Sequence, residues 1–94
     1  MKHGALMHSH DDDVAVVVQD VENGTSVQAV TLEGDTIATV TAVDDVPLGH
    51  KIAIRDVEQG KDVLKYGRSI GEASEAIKAG AHVHTHNIKS KRWA

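Results

Sequence analysis

The stretch Asp20-Val21-Glu22-Asn23-Gly24-Thr25-Ser26-Val27 returns later in the chain as Asp56-Val57-Glu58-Gln59-Gly60-Lys61-Asp62-Val63. Each copy follows an apolar run, and Ile77-Lys78-Ala79-Gly80-Ala81-His82-Val83 repeats the frame more loosely. The frame is an apolar residue, two polar or small positions, Gly, two spacers and Val. An apolar side chain can plug a core as the chain turns. Gly can take the left-handed backbone angle, and Val can re-enter a sheet. Three such corners in 94 residues confine the chain to short, sharply bent strands in a compact unit.

The core must then be aliphatic. The chain has no Phe, one Trp (Trp93) and one Tyr (Tyr66), but thirteen valines. Val is β-branched and fits a pleated surface, so the fold class expected is mainly β. Ninety-four residues suit one small domain, 1–94. A hydrophobic content of 40% is too high for a disordered chain, and the apolar runs are too interrupted to span a membrane. The absence of cysteine rules out disulfides and thiolate-metal sites. The first ten residues hold no apolar run of signal length, so a cytoplasmic protein is expected. A net charge of −4 leaves no electrostatic footprint for nucleic acid. The basic cluster Lys89-Ser90-Lys91-Arg92 reads as a solvated terminus or a subunit contact.

Along the chain, residues 5–10 suggest a short strand that the acidic run Asp11-Asp12-Asp13 ends. That run is either a solvated loop or a source of oxygen ligands beside His8 and His10. Val14 to Val18 is a continuous apolar run, consistent with burial on both faces. Residues 27–43 read as a β-hairpin turning at Glu33-Gly34-Asp35, with its threonines on an exposed face. Asp44 to Lys51 is a loop in which Pro47 fixes the turn and Gly49 permits an unusual angle just before His50. Further strands are expected around Ile52–Ile54 and from Val63. One short helix is expected over residues 72–79. There Ala73, Ala76 and Ile77 fall at helical spacing, Glu72 suits the start, Lys78 the end, and Gly80 the stop.

Chemistry concentrates in His82-Val83-His84-Thr85-His86-Asn87. On a strand all three imidazoles share one face, and Val83 and Thr85 face the core. Imidazoles are metal ligands and acid–base groups near neutral pH. His82 and His84 lie about 6.6 Å apart along a strand, close enough to share an ion, whereas His86 lies about 13 Å from His82 and needs a bend to join. His8 and His10 repeat the one-apart spacing. If the two ends of the chain meet, His8 or His10 and the C-terminal histidines face one pocket that can bind a divalent ion. No Ser or Cys nucleophile arrangement and no Gly-rich phosphate loop is present.

Several blocks carry a resemblance. His8-Ser9-His10-Asp11 with Val14-Ala15-Val16, Pro47 to Ala53, Lys65-Tyr66-Gly67, Ile70-Gly71-Glu72-Ala73 and His82 to Asn87 resemble the SAF domain of the altronate/galactarate dehydratase family, in the family's order. The resemblance implies a single SAF domain of β-clip fold over 1–94. It also implies a lyase acting on polyhydroxy acids with a divalent metal, usually Fe2+. In many relatives this domain precedes a much larger one, whereas here the chain stops at Trp93-Ala94. It therefore resembles the small subunit of split members, the (R)-sulfolactate sulfo-lyases among them, which pair with a separately encoded large subunit. The opening departs from the family in that many members have Asn where this chain carries Asp12 or Asp13.

The chemistry of such a lyase calls for a base beside a carboxylate, a cationic group to hold the enediolate, and an acid for the departing hydroxide or sulfite. The expected catalytic residues are His50, His84 and His86. Lys51, Lys65 and Arg68 are expected to bind the substrate carboxylate, and His8, His10 and His82 the metal. A chain this small is expected to supply part of a site, to be silent alone, and to self-associate through the face left open. The basic tail with Trp93 and the His50 loop are the contacts expected with the large subunit. A non-catalytic metal- or carbohydrate-binding module is the alternative function.

Overall fold

A computed structural model describes residues 3–8, 11–65, 68–84 and 86–89. Among these every regular element is a strand. β1 (His3–Met7), β2 (Val14–Val17), β3 (Ser26–Thr31), β4 (Thr36–Thr41), β5 (Lys51–Ala53) and β8 (His82–Val83) form a six-stranded sheet in the order β4-β3-β1-β2-β5-β8. β6 (Asp62–Lys65), β7 (Arg68–Ala73) and β9 (Ile88–Lys89) form a second sheet with β7 in the centre. This mainly β, curled architecture agrees with the β-clip expected. Among the described strands only β1 and β3 run parallel, in the register His3↔Val27 to Met7↔Thr31.

The Val-rich run of β2 explains how two cores share one strand. Ala15 and Val17 pack into a cluster with Ala5, Met7, Val27, Ala29 and Ile52. Val14 points the other way, into a cluster with Ala53, Val63, Ala73 and Val83. β5 divides likewise between Ile52 and Ala53, because successive side chains alternate faces. The hairpin of β3 and β4 forms where expected, although Thr31 is buried rather than exposed and its Oγ1 accepts the Asp35 N–H at 3.2 Å.

The corners hold the sheets together, and among the described residues there are four rather than three. Val21, Val46, Val57 and Ile77 are each buried three residues ahead of a glycine with positive φ: Gly24, Gly49, Gly60 and Gly80. Val46-Pro47-Leu48-Gly49 is the copy that proline disguises in the sequence. The corners pair: Val21 bonds Val46, and Val57 bonds Ile77, each through two N–H···O contacts of 2.8 Å. Within each pair the glycine N–H donates to the carbonyl four residues ahead of the partner's plug, as Gly24 to Ala42 and Gly49 to Val17. The two halves of a pair are thus related by a local two-fold axis. Asp20 accepts from Leu48 N–H and Asp45 from Asn23 N–H, so the first pair is capped reciprocally. In the second, Asp56 accepts from Ala79 N–H, but the matching position opposite is Ala76.

The helix expected over residues 72–79 is not there. β7 runs to Ala73, the chain bends at Ser74 and Glu75, and Ile77 enters the corner opposite Val57. The spacing of Ala73 and Ile77 fits a helix, yet it also fits a strand end followed by a corner plug, and both side chains are buried that way. Eight residues make a marginal helix because nucleation is costly. The corner instead gives Ile77 two backbone bonds and Gly80 one to Ala53. A Cβ on Gly80 would lie 2.0 Å from the Thr41 carbonyl oxygen, so no side chain fits.

Candidate functional site

β8 is an edge strand of the larger sheet, paired with β5 in the register Lys51↔Val83 and Ile52↔His82. Val83 is fully buried, which turns His82 to the opposite face. One residue further, the register sets His50 opposite His84. His50 follows the positive-φ Gly49, and its N–H donates to the Pro47 carbonyl at 2.9 Å, so the corner delivers the imidazole to the sheet edge. His50 Nδ1 and His82 Nε2 lie 2.9 Å apart and share a hydrogen bond. The His50 and His84 ring centroids are 4.7 Å apart, and the His82 and His84 rings stack at 5.7 Å with an interplanar angle of 8°.

His86 joins because the chain bends. The strand ends at Val83, and Asn87 N–H donates back to the His84 carbonyl at 3.1 Å. The His86 ring lies 5.2 Å from that of His82, far inside the span of a straight strand. Four imidazoles therefore meet on one edge. Among them, a ring nitrogen of each of His50, His82 and His84 lies within 4.8 Å of the others. His50 and His82 are half-buried and His84 is exposed. Burial, then the neighbouring His50, His86 and His84, hold the His82 imidazole below its ordinary value, against an opposing pull from Asp44. A neutral imidazole keeps a lone pair for a metal or a proton.

Two residues that the sequence reading gave no role brace this edge. Asn87 is 4% exposed. Its Oδ1 accepts the His84 N–H at 3.0 Å, and its Nδ2 donates to the His82 carbonyl at 2.8 Å. Asp44 Oδ2 accepts the His82 N–H at 3.0 Å. Asn, which bonds nearby backbone through its side chain, directly after an imidazole run was the available signal. The Asp44 contact spans the fold and left none.

The remaining expected residues lie elsewhere. His8 is exposed at the end of β1 and is not part of the three-imidazole group; its N–H donates to Asp12 Oδ2 at 3.0 Å. His10, Thr85, Tyr66 and the tail 90–94 with Trp93 lie outside the described residues. Asp12 is fully buried, and Asp13 Oδ2 accepts the Leu64 N–H at 2.9 Å, so these two carboxylates of the acidic run tie the chain together. Lys51 is half-buried beside His50 in sequence. Lys65 and Arg68 face each other across the β6–β7 hairpin and line a concavity with Ser69 and Ile70, on the other sheet from the imidazoles.

These features define a class: a small β domain of paired corners that presents clustered imidazoles at one sheet edge. Residues 3–91 match the altronate/galactarate dehydratase SAF domain, and the chain belongs to that family. It is 40% identical over 89 residues to (2R)-sulfolactate sulfo-lyase subunit alpha of Chromohalobacter salexigens, covering 94% of this chain and 95% of that one. The same-named subunit of Paracoccus pantotrophus is 46% identical over 54 residues, 57% of this chain and 81% of the relative. Altronate dehydratase of Escherichia coli is 43% identical over 79 residues, 84% of this chain but 15% of the enzyme. No described helix is long and apolar enough to cross a membrane.

Proposed function

We propose that the chain is the small subunit of a lyase that eliminates a β-substituent from a small hydroxy acid, and that it contributes imidazoles to a site completed by a larger subunit. The observation that carries this reading is the contact of His50, His82, His84 and His86 at an open sheet edge. An edge cluster cannot enclose a ligand, and small-molecule sites bury most of theirs. The near full-length likeness to a protein named as a lyase subunit supports the same reading, as does the likeness to 15% of an altronate dehydratase.

The reaction requires a base to take the proton beside the carboxylate, and an acid or metal to assist the group leaving the next carbon. With sulfolactate, the C2–H and C3–S bonds break, sulfite departs with the electron pair, and the enol becomes the keto acid. With a sugar acid, water departs instead. A neutral imidazole serves as base and a protonated one as acid. A divalent metal such as Fe2+, when bound, would withdraw charge from the substrate oxygens. Lys51 adjoins His50 in sequence but pairs with Val83, on the face opposite His82, so it would hold a carboxylate only from the other side of the sheet edge. Lys65 and Arg68 would reach the same substrate only across a composite site.

The test is to express the chain with and without its large partner, and to assay sulfolactate, altronate and galactarate with ferrous iron under anaerobic conditions. The expected result is silence from the chain alone and turnover on the order of 1 s⁻¹ or more from the pair, strongly reduced by His84→Ala. Ordinary turnover by the single chain would reject the subunit reading. An inactive pair that still binds metal would favour the non-catalytic module.

A further inference from the structure

The edge cluster divides into two parts. His50, His82 and His84 bring three ring nitrogens within 4.8 Å of one another, whereas among the described residues His86 makes its ring contact with His82. Imidazole nitrogens about 2.0–2.1 Å from one ion are about 2.9 Å apart at right angles and about 3.3 Å apart in a tetrahedron. The 2.9 Å between His50 Nδ1 and His82 Nε2 already meets that spacing. His84, the exposed member, brings a ring nitrogen within 4.8 Å of both and supplies the third side.

The backbone beneath the rings is braced more firmly than an incidental histidine cluster requires. Asn87, almost wholly buried, spans His82 and His84 with one side-chain amide, accepting from one and donating to the other. Asp44 holds the His82 N–H from the neighbouring corner. His50 is set by the Gly49 corner, whose N–H bonds Val17 at 3.1 Å. Three ligands thus come from two elements, each braced by groups that are not themselves ligands. Metal centres likewise fix their ligands through outer groups, which here hold the backbone of the ligands rather than their rings.

We propose that His50, His82 and His84 form a divalent-metal site of borderline type within this chain alone, with Asn87 as its positioning residue. Three neutral imidazoles suit Zn2+, Fe2+ or Co2+ better than Mg2+ or Ca2+. Three protein ligands leave at least one position open for an oxygen of a small ligand or a water. This inference rests on the lyase reading for its purpose but not for its test.

The test uses the full chain without a histidine tag, titrated with Co2+ and followed by the visible spectrum of the ion. The wild type should take up a single Co2+ per chain, and His84→Ala, which alters an exposed side chain, should abolish that uptake. Asn87→Ala should weaken it about 10- to 100-fold, with the far-ultraviolet spectrum of the metal-free chain unchanged. If Asn87→Ala does not fold, Asn87→Ser, which keeps a hydroxyl near the His84 N–H, should fold and bind at an intermediate level. Absence of stoichiometric uptake by the wild type would overturn the site, as would uptake that survives His84→Ala but not His8→Ala. Unchanged affinity in a folded Asn87 variant would overturn the positioning role. None of these readings involves substrate or a partner, so a failed site leaves the lyase reading standing, and the reverse also holds.

Discussion

His82 pairs with His50 by hydrogen bond, stacks on His84 and is held below the ordinary imidazole value chiefly by burial. The folded chain therefore binds fewer protons at this position than the unfolded one. Stability then rises with pH between the folded value and the ordinary value of about 6.5, and levels off above it. Thermal melts of the metal-free chain from pH 5 to 8 should show that rise, and His82→Gln should flatten it. Glycines offer a second residue-scale comparison. Gly34 and Gly80 both have positive φ, but a Cβ meets nothing within 4 Å at Gly34 and the Thr41 carbonyl at Gly80. Gly34→Ala should cost about 1–2 kcal/mol from the backbone angle alone. Gly80→Ala should cost clearly more, because the Thr41 carbonyl must also move; urea midpoints measure the difference.

At the scale of the element, the corner is the unit from which the fold is built. Two corners form a pair through their buried plugs and their glycine N–H groups, and an aspartate just ahead of one plug caps the other corner. Asp20, Asp45 and Asp56 do this, and Ala76 breaks the pattern. Ala76 is exposed, and its place by the local two-fold axis faces Gln59 N–H as Asp56 faces Ala79 N–H. Ala76→Asp should therefore stabilise the chain by about 0.5–1 kcal/mol, the scale of one capping bond. Asp56→Ala should lose a similar amount. An unchanged urea midpoint for Ala76→Asp would show that the two corner pairs are not equivalent.

For the whole molecule, the two sheets share β2 and β5 between their cores, and the imidazoles sit where β5 meets the edge strand β8. Closing a metal between the His50 corner and the β8 segment would tie together parts of the chain more than thirty residues apart. Metal that binds only the folded state at 100 times its Kd adds about 2.7 kcal/mol. For a domain of this size that corresponds to a rise of roughly 10–20 °C in Tm. Zn2+ or Co2+ should produce such a rise in the wild type, EDTA should reverse it, and His50→Ala should remove it. The rise should shrink as pH falls, since protons compete for the same nitrogens.

The one-apart spacing of His82 and His84, the burial of Val83, the hairpin around Gly34 and three of the corners were legible in the chain, because strand alternation and positive-φ glycine act over a few residues. Resemblance added His50 and the β-clip fold. Proline hid the corner at Val46, and a helix-compatible spacing hid the bend after Ala73, since a period of four does not distinguish a helix turn from a strand followed by a plug. Which histidines meet was decided by tertiary structure alone. His50 reaches His82 through a corner and a strand register 32 residues away in sequence, and His86 reaches it only because Asn87 folds the chain back. Such contacts depend on how distant backbone groups satisfy one another, and no local pattern in the sequence encodes them.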